Sequence, residues 1–98
     1  MKSRSDIFNL LEKHRDEIKG FGVRELGVFG SFARNEQTEK SDVDVLVEMD
    51  RHSFDAYMDL LFFLEDLFGR KVDLVVKDTI KPMIRNRVLR EAIYVPNI

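Results

Sequence analysis

The chain of 98 residues has the usual size of one domain and is too short for two substantial ones. Apolar residues make up 44% and charged residues 35% of it, which excludes a disordered or fibrous protein. The formal net charge is -2 and both signs are interspersed along the chain, so we expect neither direct nucleic-acid binding nor attraction to an anionic membrane.

Cysteine is absent, which excludes disulfides, thiolate metal sites and a cysteine nucleophile. The first residues contain no apolar signal core, and the longest unbroken apolar run, Leu60 to Leu64, is much too short to span a membrane. We therefore predict a single domain over residues 1–98, located in the cytoplasm.

A helix is the first predicted element. Ser5 or Asp6 can cap its start, and Gly20 and Gly22 are expected to end it. Its apolar residues recur near helical spacing and predict one buried face: Ile7, Leu10, Leu11 and Ile18. A strand follows over roughly 23–29, and Ser31 is a reasonable cap for a short helical turn after it.

Two further strands are predicted on either side of a long helix. Three valines in 42–47 alternate with Asp42, Asp44 and Leu46, which is the period of a strand with one buried face. In 72–76 the apolar residues Val72, Leu74 and Val76 alternate in the same way, with Asp73 pointing the other way. The helix between these strands covers 53–68 and ends at Gly69, and a last helix covers roughly 82–92.

The connections between the strands predict their directions. Parallel neighbours need a crossover of about a dozen residues or more, and the helix over 53–68 is long enough. Strands two and three can therefore be parallel, whereas the short connection over 30–41 allows strands one and two to be antiparallel. We expect an α+β fold, a small mixed β-sheet with helices packed on it.

Three aspartates are candidates for a metal site. Asp42 and Asp44 are two residues apart on one strand, so their carboxylates project from the same face. Asp73 joins that face if the third strand lies beside the second. Alone, the three would repel one another and raise each other's pKa, a cost that a hard divalent cation removes. Mg²⁺ suits this set, because it takes few carboxylates and completes its coordination with water and phosphate oxygens.

Gly30 and Ser31 supply what a phosphate needs, a residue without Cβ where the backbone approaches a ligand, and a hydroxyl beside it. A metal on Asp42 and Asp44 next to a phosphate on Gly30-Ser31 is an arrangement suited to phosphoryl or nucleotidyl transfer.

These residues resemble the polymerase-β-type nucleotidyltransferases, whose signature is Gly-Ser, ten residues, and Asp-x-Asp. Residues 32–41 supply the ten here. The likeness is closer to the minimal nucleotidyltransferases paired with HEPN toxins, the MntA-type antitoxins, and it extends over 30–34, 41–47, 69–75 and 81–92. One departure is Asn35, where the family usually has glycine; asparagine tolerates left-handed backbone, so the turn is expected to survive.

The resemblance implies a nucleotidyltransferase fold, and it implies roles for residues that match the motif. Asp42 and Asp44 would hold Mg²⁺ that neutralises the triphosphate of ATP, and Gly30 and Ser31 would grip the phosphates. Asp73 would bind the catalytic metal and help to deprotonate the acceptor.

Arg34 would help to bind phosphate or acceptor in the same scheme. The family transfers AMP to a tyrosine hydroxyl of the partner HEPN toxin, which is thereby silenced, so the resemblance implies an Mg²⁺-dependent antitoxin. A homo-oligomer or hetero-oligomer is possible.

Other interpretations remain open. Asp42 and Asp44 could line a solvated strand edge, Asp73 could form a salt bridge to Arg70 or Lys71, and Arg34 could be a surface charge. Transfer to a small molecule ranks lowest, because the chain has no room for an acceptor domain. His14 and His52 are interpreted as surface residues.

The long helix leaves a further alternative, since three of its apolar side chains lie outside the centre of its core face: Met58, Phe62 and Phe63. They indicate either a broad core contact or a partner surface, and in the second case the chain could be a binding module that neutralises a partner by occlusion. The basic residues of the last helix are interpreted as a solvated face that could meet an acidic partner: Lys81, Arg85, Arg87 and Arg90.

Overall fold

The computed structural model describes residues 3–50 and 53–98. Its helices and strands are, in order, α1 (Arg4–Lys13), α2 (Arg15–Gly20), β1 (Val23–Phe29), α3 (Gly30–Ala33), β2 (Val43–Met49), α4 (Phe54–Phe68), β3 (Val72–Val76), α5 (Pro82–Glu91) and β4 (Ile93–Tyr94). A single turn of 3-10 helix, Lys77–Thr79, joins β3 to the segment before α5.

In the described part of the chain the strands form one sheet with the order β3-β2-β1-β4. β2 and β3 are parallel, and β1 is antiparallel to both β2 and β4. The expected small mixed sheet with packed helices is confirmed, as are the predicted directions of the first three strands. α4 makes the crossover that parallel neighbours require.

The main core lies between one sheet face and α1, α2 and α4. It forms because every second residue of β2 and β3 is apolar and points to this face: Val43, Val45, Val47, Val72, Leu74 and Val76. Ser53 starts α4 by accepting a hydrogen bond from the backbone N–H of Ala56 at 3.0 Å, and Gly69 ends it with φ 67. None of the helices in the described ranges is long and apolar enough to cross a membrane.

The opposite face of the sheet is covered in its middle by α5. Leu46 of β2 is buried there with Ile80 and Val88, and partly buried apolar side chains surround them. The side chains that share this face with Leu46, two residues away along β2, are Asp44 on one side and Glu48 on the other. The polar ends of this face therefore lie beyond the edges of the apolar contact with α5.

Two predictions about the first helix are wrong. Its cap is Ser3, whose Oγ accepts from the Asp6 N–H at 3.1 Å while the Asp6 carboxylate accepts from the Ser3 N–H at 2.9 Å. This reciprocal pair, a capping box, satisfies two backbone N–H groups at once. The helix also breaks at His14 instead of continuing to Gly20, and the pieces are α1 and α2.

β4 was not predicted, because two residues are too short for any periodicity. Its Tyr94 pairs with Gly27, and a Cβ at position 27 would lie 3.2 Å from the Tyr94 ring, so the glycine leaves room for this strand. The predicted last helix ends one residue early, at Glu91, and β2 extends to Met49.

Candidate active site

The strand register places Asp44 and Asp73 side by side. Asp44 of β2 pairs with Asp73 of the parallel β3, and it also pairs with Phe29 at the end of β1. Register partners point to the same face, so both carboxylates lie on the face that carries α5. Asp42 lies directly before β2 and is exposed. All three acids therefore belong to the end of the sheet where β1 ends and β2 and β3 begin.

The electrostatics of Asp44 record this proximity. Its pKa is raised from 3.8 to about 6, first by desolvation and then by the charges of Asp73 and Asp42, while Arg34 acts in the opposite direction. No described residue forms a hydrogen bond or ion pair with any of the three carboxylates. Within 3–50 and 53–98, no three His, Cys, Asp or Glu side chains are gathered closely enough to hold a metal ion. The three acids thus share one end of the sheet and repel one another, but their carboxylates are not gathered into a ready-made three-acid cluster.

The backbone of Gly30 lies against the side chain of Asp44. Gly30 has φ 71, and a Cβ at this position would lie 2.9 Å from the Asp44 Cγ and still closer to its Oδ2. Only glycine combines this left-handed backbone with so close an approach. The turn after it is closed by the Glu36 N–H, which donates to the Ser31 carbonyl at 2.8 Å. Asn35 has φ 59, which confirms that asparagine adopts the left-handed conformation expected of it.

The Arg34 side chain forms hydrogen bonds with two glutamates. Its Nε donates to Glu36 at 2.6 Å, and its Nη1 donates to Glu91 at the end of α5. The hydrogen bond to Glu36 and the charge of Glu91 raise the pKa of Arg34. The structure thus places Arg34 near Asp44 and ties it to α5, and neither glutamate was singled out in the sequence.

Arg70 is a second residue that sequence reasoning did not assign to the site. Its Nη1 donates to the Ser41 carbonyl at 2.9 Å and lies 3.4 Å from the Thr38 carbonyl, and its Cζ lies 5.3 Å from the centre of the Phe32 ring. Among the described residues Asp73 forms no salt bridge to Arg70 or to Lys71, so that alternative is wrong. The only signal in the sequence was the basic pair that precedes β3.

The apolar residues outside the core face of α4 divide into two kinds. Phe63 packs on the Phe21 ring, with 5.3 Å between ring centres, and meets the edge of His14. Met58 is partly buried, whereas Phe62 is 56% exposed. His14 has a partly buried side chain and forms a surface hydrogen bond with Glu17, and His52 lies outside the described residues. Of the three apolar candidates for a partner surface, only Phe62 remains.

The basic residues of α5 also differ from one another. Lys81, Arg87 and Arg90 are exposed, as expected of a solvated face. Arg85 is partly buried and its Nη1 donates to the Lys77 carbonyl at 2.9 Å, which fastens α5 to the turn after β3.

Comparisons with known proteins show the family of the chain. The family model described as "Nucleotidyltransferase domain" matches residues 11–95. The protein adenylyltransferase MntA of Thermococcus cleftensis is 44% identical over 97 residues, which cover 97% of this chain and 98% of MntA. A solved structure provisionally named as a minimal nucleotidyltransferase is 35% identical, with a TM-score of 0.72 over 88% of this chain and 93% of that one.

A more distant structure has the same fold. It is described as a tri-AMPylated HEPN toxin of Shewanella oneidensis in complex with its MNT antitoxin. The matched chain is 17% identical to this one, with a TM-score of 0.65, and the match covers 90% of this chain and 71% of that chain. At this identity the likeness concerns the fold alone.

Proposed function

This chain belongs to the nucleotidyltransferase domain family, and we propose that it transfers AMP from ATP to a tyrosine hydroxyl of a partner HEPN toxin, acting as the antitoxin. The relative MntA bears the name of a protein adenylyltransferase. A fold neighbour is described as an antitoxin bound to an AMPylated HEPN toxin. Because such a pair acts on ATP inside the cell, the proposal places the chain in the cytoplasm.

The contact between Gly30 and Asp44 is the observation that carries the proposal. Transfer of a nucleotidyl group needs acidic metal ligands beside a surface that accepts the phosphates. Here the backbone of Gly30 lies against the Asp44 carboxylate so closely that no Cβ fits between them. Asp73 flanks the same carboxylate in the sheet. A triphosphate on the Gly30-Ser31 segment would therefore lie next to the acids.

The three aspartates fit Mg²⁺ by their chemistry. They offer only hard oxygen donors. The pKa of Asp44 is raised first by burial and then by the charges of Asp73 and Asp42, and a bound cation relieves both effects. We propose Asp42, Asp44 and Asp73 as its ligands. When bound, Mg²⁺ neutralises charge on the triphosphate and on the leaving pyrophosphate.

The remaining steps belong to the chain's own side chains. The acceptor oxygen forms a bond to the α-phosphorus while the bond from that phosphorus to the β-phosphate oxygen breaks, and pyrophosphate leaves. In the proposal, the Asp73 carboxylate takes the proton of the acceptor hydroxyl. The Ser31 hydroxyl donates a hydrogen bond to a phosphate oxygen. Arg34 leaves its contacts with Glu36 and Glu91 and turns toward the phosphates.

Transfer can be measured with ATP labelled at the α-phosphate, Mg²⁺ and a purified HEPN partner. The partner should become labelled by the wild-type chain, and Asp42→Asn with Asp44→Asn should reduce the rate by more than about 10³-fold, the scale of losing preorganised electrostatic groups. Asp66→Asn, which removes an exposed acid of α4, is the matched control and should leave the rate unchanged. Label transfer that survives the double substitution refutes the mechanism.

The second candidate function is neutralisation by occlusion, and the exposure of Phe62 favours it. A large apolar side chain that is 56% exposed on α4 could bind a partner without chemistry. Phe62→Asp would then abolish neutralisation while the variant lacking Asp42 and Asp44 still neutralised. Asn86→Asp, at an exposed polar residue of α5, is the control for the added charge. The opposite result, loss only in the acid variant, favours catalysis.

A further inference from the structure

The guanidinium of Arg70 contacts two of the segments that carry the site. It donates to the carbonyl of Ser41, the residue before Asp42. It also lies over the ring of Phe32, the residue after Ser31. Arg70 itself stands at the start of the segment that leads to Asp73. All the segments with proposed site residues therefore meet at one side chain.

The backbone of Asp42 is held on both sides by this segment. The Ser41 carbonyl accepts from Arg70 at 2.9 Å, and the Val43 N–H donates to the Lys71 carbonyl at 3.0 Å. Asp42 has no side-chain hydrogen bond or ion pair of its own with a described residue. The connection before it, 34–40, is largely exposed and gives it little support. The position of Asp42 therefore depends on the backbone hydrogen bonds of Ser41 and Val43.

The contact with Phe32 extends the same support to the Gly30-Ser31 segment. Phe32 is fully buried, so α3 cannot shift without moving this ring. A planar guanidinium can lie over an aromatic face and donate to a carbonyl at once, whereas the ammonium of lysine is a compact charge on a flexible stem. Arginine is thus the residue type that can join the buried ring to the loop.

We propose that Arg70 is a positioning residue, which holds Asp42 and the Gly30-Ser31 segment in register for nucleotidyl transfer. The inference rests on the proposed function. In it, Arg70 contacts neither ATP nor the acceptor. It acts through Asp42 on one side and through Phe32 on the other. Misplacement of reacting groups by about 1 Å can reduce a rate by about 10²-fold, so such support matters for the rate.

Arg70→Lys, which keeps the charge, is the test. It should lower kcat by about tenfold or more and raise the Mg²⁺ concentration for half-maximal activity. The backbone amides over 36–43 should exchange with deuterium about tenfold faster. Arg85→Lys is the matched control, because Arg85 also donates one Nη1 to a backbone carbonyl at 2.9 Å. It should leave both kcat and the exchange of 36–43 unchanged.

A double variant separates positioning from general support of the fold. If Arg70 acts through Asp42, then Arg70→Lys should lower the residual rate of Asp42→Asn much less than it lowers the wild-type rate. The inference is overturned if Arg70→Lys lowers the rate by the same factor in the wild-type and Asp42→Asn backgrounds. It is also overturned if the Arg70→Lys single variant keeps kcat within about twofold of wild type, or if its amide exchange over 36–43 is unchanged. A wild-type chain that transfers no AMP defeats the proposed function instead, and the exchange measurement then decides alone whether Arg70 holds the loop.

Discussion

The sheet face under α5 carries acidic side chains at both ends, but the two ends differ in how their charge is balanced. At one end Glu25 and Glu48 are register partners, and the Lys77 Nζ lies 3.5 Å from the first and 4.0 Å from the second. At the other end Asp44 and Asp73 are register partners, and no ion pair with a described cation reaches either of them. The apolar contact of Leu46 with α5 separates the two ends.

The pKa shifts express the same difference. Burial disfavours the charged form of Lys77, but Tyr94 and the two glutamates outweigh it and raise its pKa. The pKa of Asp44 is raised instead because burial and neighbouring acids disfavour its negative charge. An acid pair balanced by the chain's own lysine supports the fold. An unbalanced pair costs stability and is suited to a cation from outside the chain.

Substitution at the unbalanced end should have the largest effect, and Gly30→Ala probes it without removing a charge. The new Cβ would force the Asp44 carboxylate out of its place, and φ 71 would add strain of about 1–2 kcal/mol. We expect the rate of AMP transfer to fall by about 10²-fold. Steady-state kinetics and thermal unfolding would measure the two effects.

Substitutions at two other glycines separate the effect of backbone strain from the effect of displacing the Asp44 carboxylate. Gly69 has φ 67 but nothing within 4 Å of its Cβ position, so Gly69→Ala should show the strain without the loss of rate. Gly20 lies in α2 with open space around it, and Gly20→Ala should raise stability by about 0.5–1 kcal/mol. An active Gly30→Ala would show that the place of Asp44 is not critical.

Lys77→Met should have a smaller effect, confined to the balanced end. Glu25 and Glu48 would then face each other without a cation, and the free energy of unfolding should drop by about 1 kcal/mol. Urea denaturation measures this, and adding Glu25→Gln should restore part of the loss. We expect AMP transfer to stay unchanged, so a rate loss as large as that of Gly30→Ala would contradict the division between the two ends.

The smallest effect concerns pH in the absence of divalent cations. The native pKa of Asp44 is about 6 and its ordinary value 3.8, so the native state binds this proton more tightly than the unfolded state. Protonation of Asp44 therefore stabilises the native state fully at pH values below 3.8, and this stabilisation is lost as the pH rises through about 6.

Asp44→Asn should remove this dependence. With allowance for solvent screening of a half-exposed group, we expect the metal-free variant to be more stable than wild type near about pH 8 by about 1 kcal/mol or less. Thermal melts in a chelating buffer would measure the gain, and Mg²⁺ should stabilise wild type more than the variant. A variant less stable than wild type under these conditions would show that the carboxylate is not repelled in the fold.

Much of the fold followed from local patterns. Strands with alternating valines were predicted with nearly correct bounds, and so was α4, because Ser53 and Gly69 mark its ends chemically. The break at His14 was missed, because the apolar spacing continues through α1 and α2 and conceals it. β4 was missed because its pairing partner, Gly27, is remote in sequence and only two residues take part.

The sequence by itself predicted that Asp42 and Asp44 project from one face, and it contains a glycine and a serine at a fixed spacing before them. Strand periodicity is a property of adjacent residues, so these features need no knowledge of the fold. Only the tertiary structure decided that Asp73 pairs with Asp44, that Gly30 touches the Asp44 carboxylate, and that Arg70 joins Phe32 to Ser41. Each of these contacts joins residues from different elements, and their distances depend on register and packing, which local patterns do not encode.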